Sequence, residues 1–123
     1  MFKINENYNT IVLKFDKNLV GGPEASKFHD FLAKSIEENK TNFIIDMSGV
    51  KFVNSTGIGI IVRGFKTIKD AGGEMKLAGL STKIKGVLSI TKLTSVFSIY
   101  DTVSDAEKDF WFTIKNFFID SID

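Results

Sequence analysis

The chain has 123 residues, of which 43% are hydrophobic and 25% charged, so it fits one folded domain and is not an intrinsically disordered chain. The net charge is only +1, so the chain does not have the excess of basic residues that is typical of nucleic-acid-binding proteins. Zero cysteines and one histidine exclude disulfides, thiolate metal sites and a histidine-rich metal centre, and we expect no metal and no cofactor.

No part of the sequence predicts a membrane segment or an export signal. No stretch approaches the roughly 20 apolar residues of a membrane-spanning helix. The first residues lack the basic, apolar and small-residue segments of a signal peptide. We therefore expect a cytoplasmic protein with no membrane insertion. Because neither a linker nor a repeat divides the chain, we also expect a single domain over residues 1–123.

The N-terminal part predicts two paired strands, a helix and a buried strand. Residues 1–5 are expected to pair with a strand over Asn9–Phe15 through a turn at Glu6–Tyr8. Pro23 then begins a helix, in which apolar residues recur at helical spacing: Ala25, Phe28, Phe31, Leu32 and Ile36. The short apolar run Asn42–Asp46 is typical of a central strand covered on both faces.

The remaining chain continues the alternation of helices and strands. An apolar stripe from Ile58 to Ile68 predicts a helix that ends near Asp70–Gly73, where glycines follow. Four elements are expected after it, in the order strand, helix, strand and helix, over residues 74–80, Thr82–Ser89, Val96–Tyr100 and Val103 to about Ser121. Alternation with short connections predicts an α/β domain with parallel strand pairing.

The closing helix carries more apolar surface than one core stripe requires. The core stripe consists of Val103, Ala106, Phe110, Ile114 and Phe117. Four further residues widen the apolar arc: Trp111, Phe112, Phe118 and Ile122. This width fits either a helix packed deeply against the sheet or a self-association surface of a homodimer, and the sequence leaves both open.

The stretch Val53–Val62 carries the main functional signal, and two enzymatic interpretations of it fail. Two glycines have the spacing of a Walker A loop, but Phe65 stands where that loop needs lysine. A serine nucleophile at Ser55 would need a base and a G-x-S-x-G turn. That turn is absent, and the one imidazole, His29, lies among apolar helix residues as a boundary histidine. The sequence does not predict an enzyme.

A third interpretation makes Ser55 a phosphoacceptor. Asn54 or Ser55 would cap the following helix, because short polar side chains bond to the free amides of a first helical turn. A phosphate added there would meet the positive end of the helix dipole and leave the fold intact. The residues alone also fit an ordinary capped helix without any modification.

Residues 44–62 resemble the signature of the STAS domain family, particularly its stand-alone bacterial anti-sigma factor antagonists. That signature is a strand ending in Asp-Leu-Ser, a short loop, and Asp-Ser-Ser/Thr-Gly-Leu-Gly at a helix start. Residues 75–106 are similar to the C-terminal part of the family, so the resemblance covers nearly the whole chain. It implies a small mixed β-sheet with about four helices packed mainly on one side.

The resemblance implies partner switching. Family members of this kind bind, when unphosphorylated, an anti-sigma factor that is also a serine kinase, which releases the sigma factor. Phosphorylation of a serine at the helix start separates the complex, and a phosphatase resets it. By alignment that serine is Ser55, with Thr56 as the second candidate. The alternative is a STAS regulatory module of a signalling scaffold or transport complex that needs no phosphorylation.

The partner surface implied by the resemblance is the turn, the exposed side of its helix, and the loops Asp16–Gly22 and Ser48–Lys51. Its candidate residues are Asn54, Ser55, Thr56, Gly57, Gly59, Ser48, Arg63 and Lys66. The glycines are expected to keep the first helical turn bare for a partner. Two residues depart from the family pattern: Asn54 replaces the usual aspartate, and Lys92 stands where glycine is common.

Overall fold

A five-stranded mixed sheet organises the chain in the computed structural model, which describes residues 2–7 and 10–110. The strands follow one another across the sheet in chain order: β1 (Phe2–Asn7), β2 (Thr10–Phe15), β3 (Asn42–Asp46), β4 (Glu74–Ala78) and β5 (Ser98–Tyr100). β1 is antiparallel to β2, and β2 to β5 are parallel. The predicted α/β class with parallel pairing is confirmed.

Helices connect the parallel strands. The connecting helices are α1 (Pro23–Glu37), α2 (Ser55–Asp70) and α3 (Thr82–Ile90), and α4, which is helical over residues 103–110, follows β5. Pro23 lies in the first turn of α1, where its missing amide hydrogen costs nothing. α2 ends before Gly72, whose φ of 80° lies in the left-handed region that glycine adopts without strain.

Apolar side chains fill both faces of the sheet. The larger core lies between one face and the first three helices and includes Phe15, Phe28, Leu32, Phe43 and Leu77. The smaller core lies on the opposite face under α4 and consists of Val12, Ile44, Ala78, Ala106 and Phe110. β3 is therefore buried on both faces, as predicted for a central strand, and three of the four helices share one side.

Several element boundaries differ from the sequence expectations, most clearly those of β1 and β5. β1 continues to Asn7, which pairs with Thr10, so pairing extends into the predicted turn. The last strand is shortened because Val96 closes a 3₁₀ turn instead of joining β5. Lys92 has a φ of 62°, in the left-handed region that glycine adopts without strain.

The predicted core stripe of the closing helix is confirmed for its described part. Val103, Ala106 and Phe110 pack against the second face of the sheet. Trp111, Phe112 and Phe118, the proposed self-association residues, lie outside the described residues, and so does the predicted helix beyond residue 110. Self-association and the single-domain organisation over residues 1–123 stay predictions.

Candidate partner-binding and phosphorylation site

The loops after β2 and β3 meet at the N-terminus of α2. Leu19 forms an isolated parallel bridge with Val53. The Leu19 amide donates to the Phe52 carbonyl at 3.2 Å, and the Asn54 amide donates to the Leu19 carbonyl at 3.3 Å. The Asn18 side-chain oxygen accepts the amides of residues 51 and 52, each at 3.0 Å. These bonds hold the turn before α2 against the loop after β2.

Asn54 caps α2. Its Oδ1 atom accepts a hydrogen bond from the Gly57 amide at 2.8 Å, and its Nδ2 atom donates to the Val20 carbonyl at 3.4 Å. Its backbone is extended, as expected of an N-cap. Of the two residues that the sequence offered as caps, the structure uses Asn54. The Ser55 hydroxyl is therefore not committed to the cap.

Ser55 and Thr56 form the exposed first turn of α2. The amides of a first helical turn have no partner within the helix and give that end a partial positive charge. The Thr56 methyl group faces Gly21, where an added Cβ would lie 3.0 Å from Thr56 Cγ2. One side of Thr56 is thus packed against the loop after β2. Ser55 is the first residue of the helix.

Gly57 does not belong to the accessible surface in which the sequence placed it. The residue is buried, and a Cβ added to it would lie 2.0 Å from the Leu19 carbonyl oxygen and 2.8 Å from Val53 Cγ2. Glycine is needed here because backbone approaches backbone, so the expected role of a bare, partner-facing residue is wrong for Gly57. Gly59 is different, because it is exposed and an added Cβ would meet nothing within 4 Å.

The remaining predicted surface residues are all exposed. Arg63 and Lys66 lie on α2, where residues three and four apart share a face with Ser55 and Gly59. Ser48 follows β3, and its amide donates to the Asp46 carboxylate at 2.9 Å. The structure therefore brings the start of α2 and the strand-end loops together at the edge of the sheet where the parallel strands end, and the exposed side of α2 extends from there.

Val20 and Phe52 also belong to this edge; Val20 lies in the predicted loop Asp16–Gly22, whereas Phe52 lies outside the predicted surface. They are 48% and 45% exposed although both are large apolar residues, and they lie in the two loops that meet before α2. The Lys83 ammonium of α3 lies 5.6 Å from the centre of the Phe52 ring, in the range of a cation–π contact. The only sequence signal was an aromatic residue beside Lys51 in a loop, which does not distinguish it from a core aromatic.

α1 packs against the buried side of α2. The two helices come close at Gly64 of α2, where an added Cβ would lie 2.6 Å from Phe28 Cε2 of α1. His29 lies on the partly buried face of α1, as predicted, and its buried Nε2 atom has no hydrogen-bond partner among the described residues. Burial, and then the positive charge of Arg63, lower the pKa of His29.

The STAS domain family model matches residues 1–106. The chain belongs to the STAS domain family. A Thermotoga maritima protein assigned as an anti-sigma factor antagonist is 33% identical over 82 residues, which are 67% of this chain and 69% of that protein. The anti-sigma-B factor antagonist of Bacillus subtilis is 33% identical over 64 residues, or 52% of this chain and 59% of that protein. Within the family, this chain is thus a relative of anti-sigma factor antagonists, which are regulators and not enzymes.

Solved structures agree with the fold. A crystal structure of an assigned anti-sigma factor antagonist from Thermotoga maritima has a TM-score of 0.74 at 26% identity, covering 88% of this chain and 92% of that one. The Bacillus cell fate determinant SpoIIAA in its phosphorylated form has a TM-score of 0.70 at 16% identity, covering 89% and 98%. The second likeness shows the fold alone. Among the described residues, no helix is long and apolar enough to cross a membrane.

Proposed function

We propose that this protein is a cytoplasmic anti-sigma factor antagonist that acts by partner switching. In its unphosphorylated form it binds an anti-sigma factor that is also a serine kinase. That kinase phosphorylates Ser55, the complex separates, and a phosphatase removes the phosphate. Family membership and the names of the relatives support the antagonist role.

The main observation in favour of the switch is that Asn54 caps α2 while the adjacent Ser55 is exposed. Asn54 makes the capping bond at 2.8 Å, and Ser55 is exposed. The Ser55 hydroxyl can therefore be modified without removing the cap of α2. A phosphate at this position would lie next to the free amides of the first helical turn, which favour negative charge. The modified protein would therefore stay folded.

Phosphorylation of Ser55 would release the partner because it adds charge and tightly bound water to the surface that the partner covers. A phosphoserine carries about two negative charges near neutral pH and three strongly hydrated oxygens. A partner packed against the first turn of α2 would have to strip water from this group or accommodate its charge. Either cost acts on the complex and not on the fold of the free protein, which is what a reversible switch requires.

The test uses the cognate anti-sigma factor kinase and radiolabelled ATP. We expect one phosphate on wild type and on Thr56→Val, and none on Ser55→Ala. The unphosphorylated Ser55→Ala variant should still bind the kinase, whereas Ser55→Asp should bind it more weakly. Label retained by Ser55→Ala would contradict the assignment. Label lost only from Thr56→Val would move the site to the second candidate.

The asparagine at position 54 supports a second candidate function, one without phosphorylation. Because the family's usual aspartate beside the phosphoacceptor is absent, the chain fits a STAS regulatory module of a scaffold or transport complex that needs no phosphorylation. That function predicts a partner whose affinity is the same for wild type, Ser55→Ala and Ser55→Asp. The same set of three variants therefore separates the two functions.

A further inference from the structure

The segment around the proposed switch has an unusual charge distribution. Residues 47–69 contain no aspartate or glutamate, although the chain as a whole is nearly neutral. Four cations lie in this segment, and all are exposed: Lys51, Arg63, Lys66 and Lys69. The flanking acids, Asp46 and Asp70, mark its two ends. The first turn of α2 and the turn before it are thus free of carboxylates.

These cations are available to a partner. Within residues 2–7 and 10–110, none of Lys51, Arg63 and Lys66 forms an ion pair with a carboxylate. Two lysines elsewhere in the described structure form ion pairs, Lys40 with Glu6 at 3.0 Å and Lys85 with Asp101 at 3.4 Å. The positive charges at Lys51 and along the exposed side of α2 are therefore not held in ion pairs within the described structure.

Exposed apolar side chains are interleaved with these charges. Val20, Phe52 and Val62 are 48%, 45% and 37% exposed. Lys83 contributes a further cation beside the Phe52 ring, at 5.6 Å. Aliphatic and aromatic groups among cations fit the apolar centre and charged rim of a protein interface. A nucleic acid would use the cations but would leave the valines without a matching surface.

We propose that Lys51, Phe52, Arg63, Lys66 and Lys83 form a basic docking surface around Ser55 that binds a partner protein presenting carboxylates around an apolar patch. This inference rests on the proposed function and adds the chemistry of its partner. Complementary charge orients such a partner and accelerates its association. The replacement of aspartate by Asn54 belongs to the same feature, because a carboxylate there would repel this partner.

The basic docking surface also explains how a single phosphate on Ser55 would make the partner dissociate. The residues three and four positions after Ser55 are Ile58 and Gly59, which carry no charge. A phosphate on Ser55 therefore has no cation of α2 within one helical turn to neutralise it. Its negative charge would face the carboxylates of the partner, so attraction at the centre of the surface turns into repulsion.

The test is an NMR titration of the isotope-labelled full chain with a helical peptide of about eighteen residues made of glutamate, alanine and a leucine face. We expect saturable shifts of the amide signals of Ser55, Gly59, Val62 and Lys66. The same peptide with lysine for glutamate should not bind. Arg63→Gln/Lys66→Gln should weaken binding about tenfold. Lys27→Gln/Lys34→Gln, which removes two exposed lysines of α1, should change it by less than about twofold.

Several results would overturn the inference. They are shifts confined to other faces, equal binding of the lysine peptide, and tighter binding of single-stranded RNA or anionic vesicles by this same surface. Unchanged peptide binding by Ser55→Asp would overturn the explanation of release. The kinase assay is independent of these results. Phosphorylation of Ser55 without peptide binding removes only this inference, and peptide binding without any kinase modification removes only the proposed function.

Discussion

Lys76 Nζ lies 2.8 Å from Asp109 Oδ2, and this ion pair ties α4 to the sheet on the face opposite α2. Lys76 is in the middle of β4 and is 3% exposed. The Tyr100 hydroxyl donates to the same carboxylate oxygen at 2.5 Å, and Glu74 accepts from Lys76 at 3.2 Å. The ammonium also lies 4.6 Å from the centre of the Phe110 ring. A buried charge is thus compensated by groups from three elements.

The protonation states of this cluster follow from its contacts. Burial alone would lower the pKa of Lys76, but hydrogen bonds with Asp109, then Tyr100 and Glu74, outweigh it and the pKa is raised. The hydrogen bond from Lys76, followed by that from Tyr100, lowers the pKa of Asp109. Lysine and carboxylate are therefore both charged near neutral pH.

The two partners of this pair should respond unequally to mutation. Asp109→Ala leaves a buried ammonium with fewer partners and should lower the free energy of unfolding by about 1–3 kcal/mol. Lys76→Met removes the buried charge itself, and the half-exposed Asp109 carboxylate can then be solvated, so the loss should be smaller. Urea denaturation of both variants measures the difference. A larger loss for Lys76→Met would contradict this account.

The acid side of the stability curve provides a second measurement of the same pair. Because the pKa of Asp109 is lower in the fold than its ordinary value of 3.8, its contribution is present above that pH. The contribution is lost as the pH falls through the lowered pKa. Asp109→Ala should therefore lose less stability than wild type on acidification below about pH 4. Parallel curves for the two proteins would exclude the ion pair as the cause.

Gly57 and Gly59 should give opposite results although they lie on the same turn of α2. Gly57→Ala forces a Cβ to within 2.0 Å of the Leu19 carbonyl oxygen and should cost more than about 2 kcal/mol. Gly59→Ala meets open space and should stabilise the helix by about 0.5–1 kcal/mol. Thermal unfolding of both variants checks this. Equal effects would mean that the close approach at Gly57 is not rigid.

The sequence predicted the switch region because its signal is contiguous. Asp46 to Val62 carries a strand end, a cap and a helix start within one short segment, so the resemblance and the local chemistry agree there. The burial of Gly57 was not predictable in this way. It depends on Leu19, which lies in another loop and reaches the turn only because β2 and β3 are parallel neighbours.

The same limit applies to residues that act through distant partners. The sequence does not indicate that Lys76 is buried, because its partner Asp109 is 33 residues away and on α4. Nor does it indicate that Phe52 is exposed beside a cation, because its neighbour Lys83 comes from α3. Periodicity identifies elements and core stripes, but it carries no information about which segments meet at a sheet edge.

The cap of α2 can be tested by two substitutions at one residue. Asn54→Ala removes the 2.8 Å acceptor of the Gly57 amide and should cost about 1 kcal/mol. Asn54→Asp keeps the acceptor and places negative charge at the helix N-terminus but loses the long 3.4 Å bond from Nδ2 to the Val20 carbonyl, so it should cost less than Asn54→Ala, by about 0.5 kcal/mol or more. Urea denaturation measures both effects.

Thr102→Ala is the matched control for the cap. Thr102 Oγ1 accepts from the Asp105 amide at 3.1 Å at the start of α4, on the sheet face opposite α2, so this variant should lose comparable stability. It should leave binding of the acidic peptide unchanged, whereas Asn54→Asp should weaken that binding. Equal peptide binding by Asn54→Asp and wild type would count against the basic docking surface.

His29 should make the packing of α1 against α2 sensitive to mild acid. Its pKa is lowered from 6.5 by burial and then by Arg63, while Asp30 acts weakly in the opposite direction. The neutral form is favoured in the fold, so its contribution to stability is complete above about pH 6.5 and is lost as the pH falls through the lowered pKa. Protonation would put a second donor and a charge on a side chain whose Nε2 atom is buried without a partner.

Chemical denaturation of wild type and His29→Gln between pH 7.5 and 5 should separate this effect from general acid destabilisation, since glutamine does not titrate there. We expect the free energy of unfolding of wild type to fall over this range and that of His29→Gln to fall less. Arg63→Gln should show an intermediate slope, because it removes the second cause of the lowered pKa and leaves burial in place. If all three proteins lose stability in parallel, the imidazole does not respond to pH in the fold, and the pH dependence arises elsewhere.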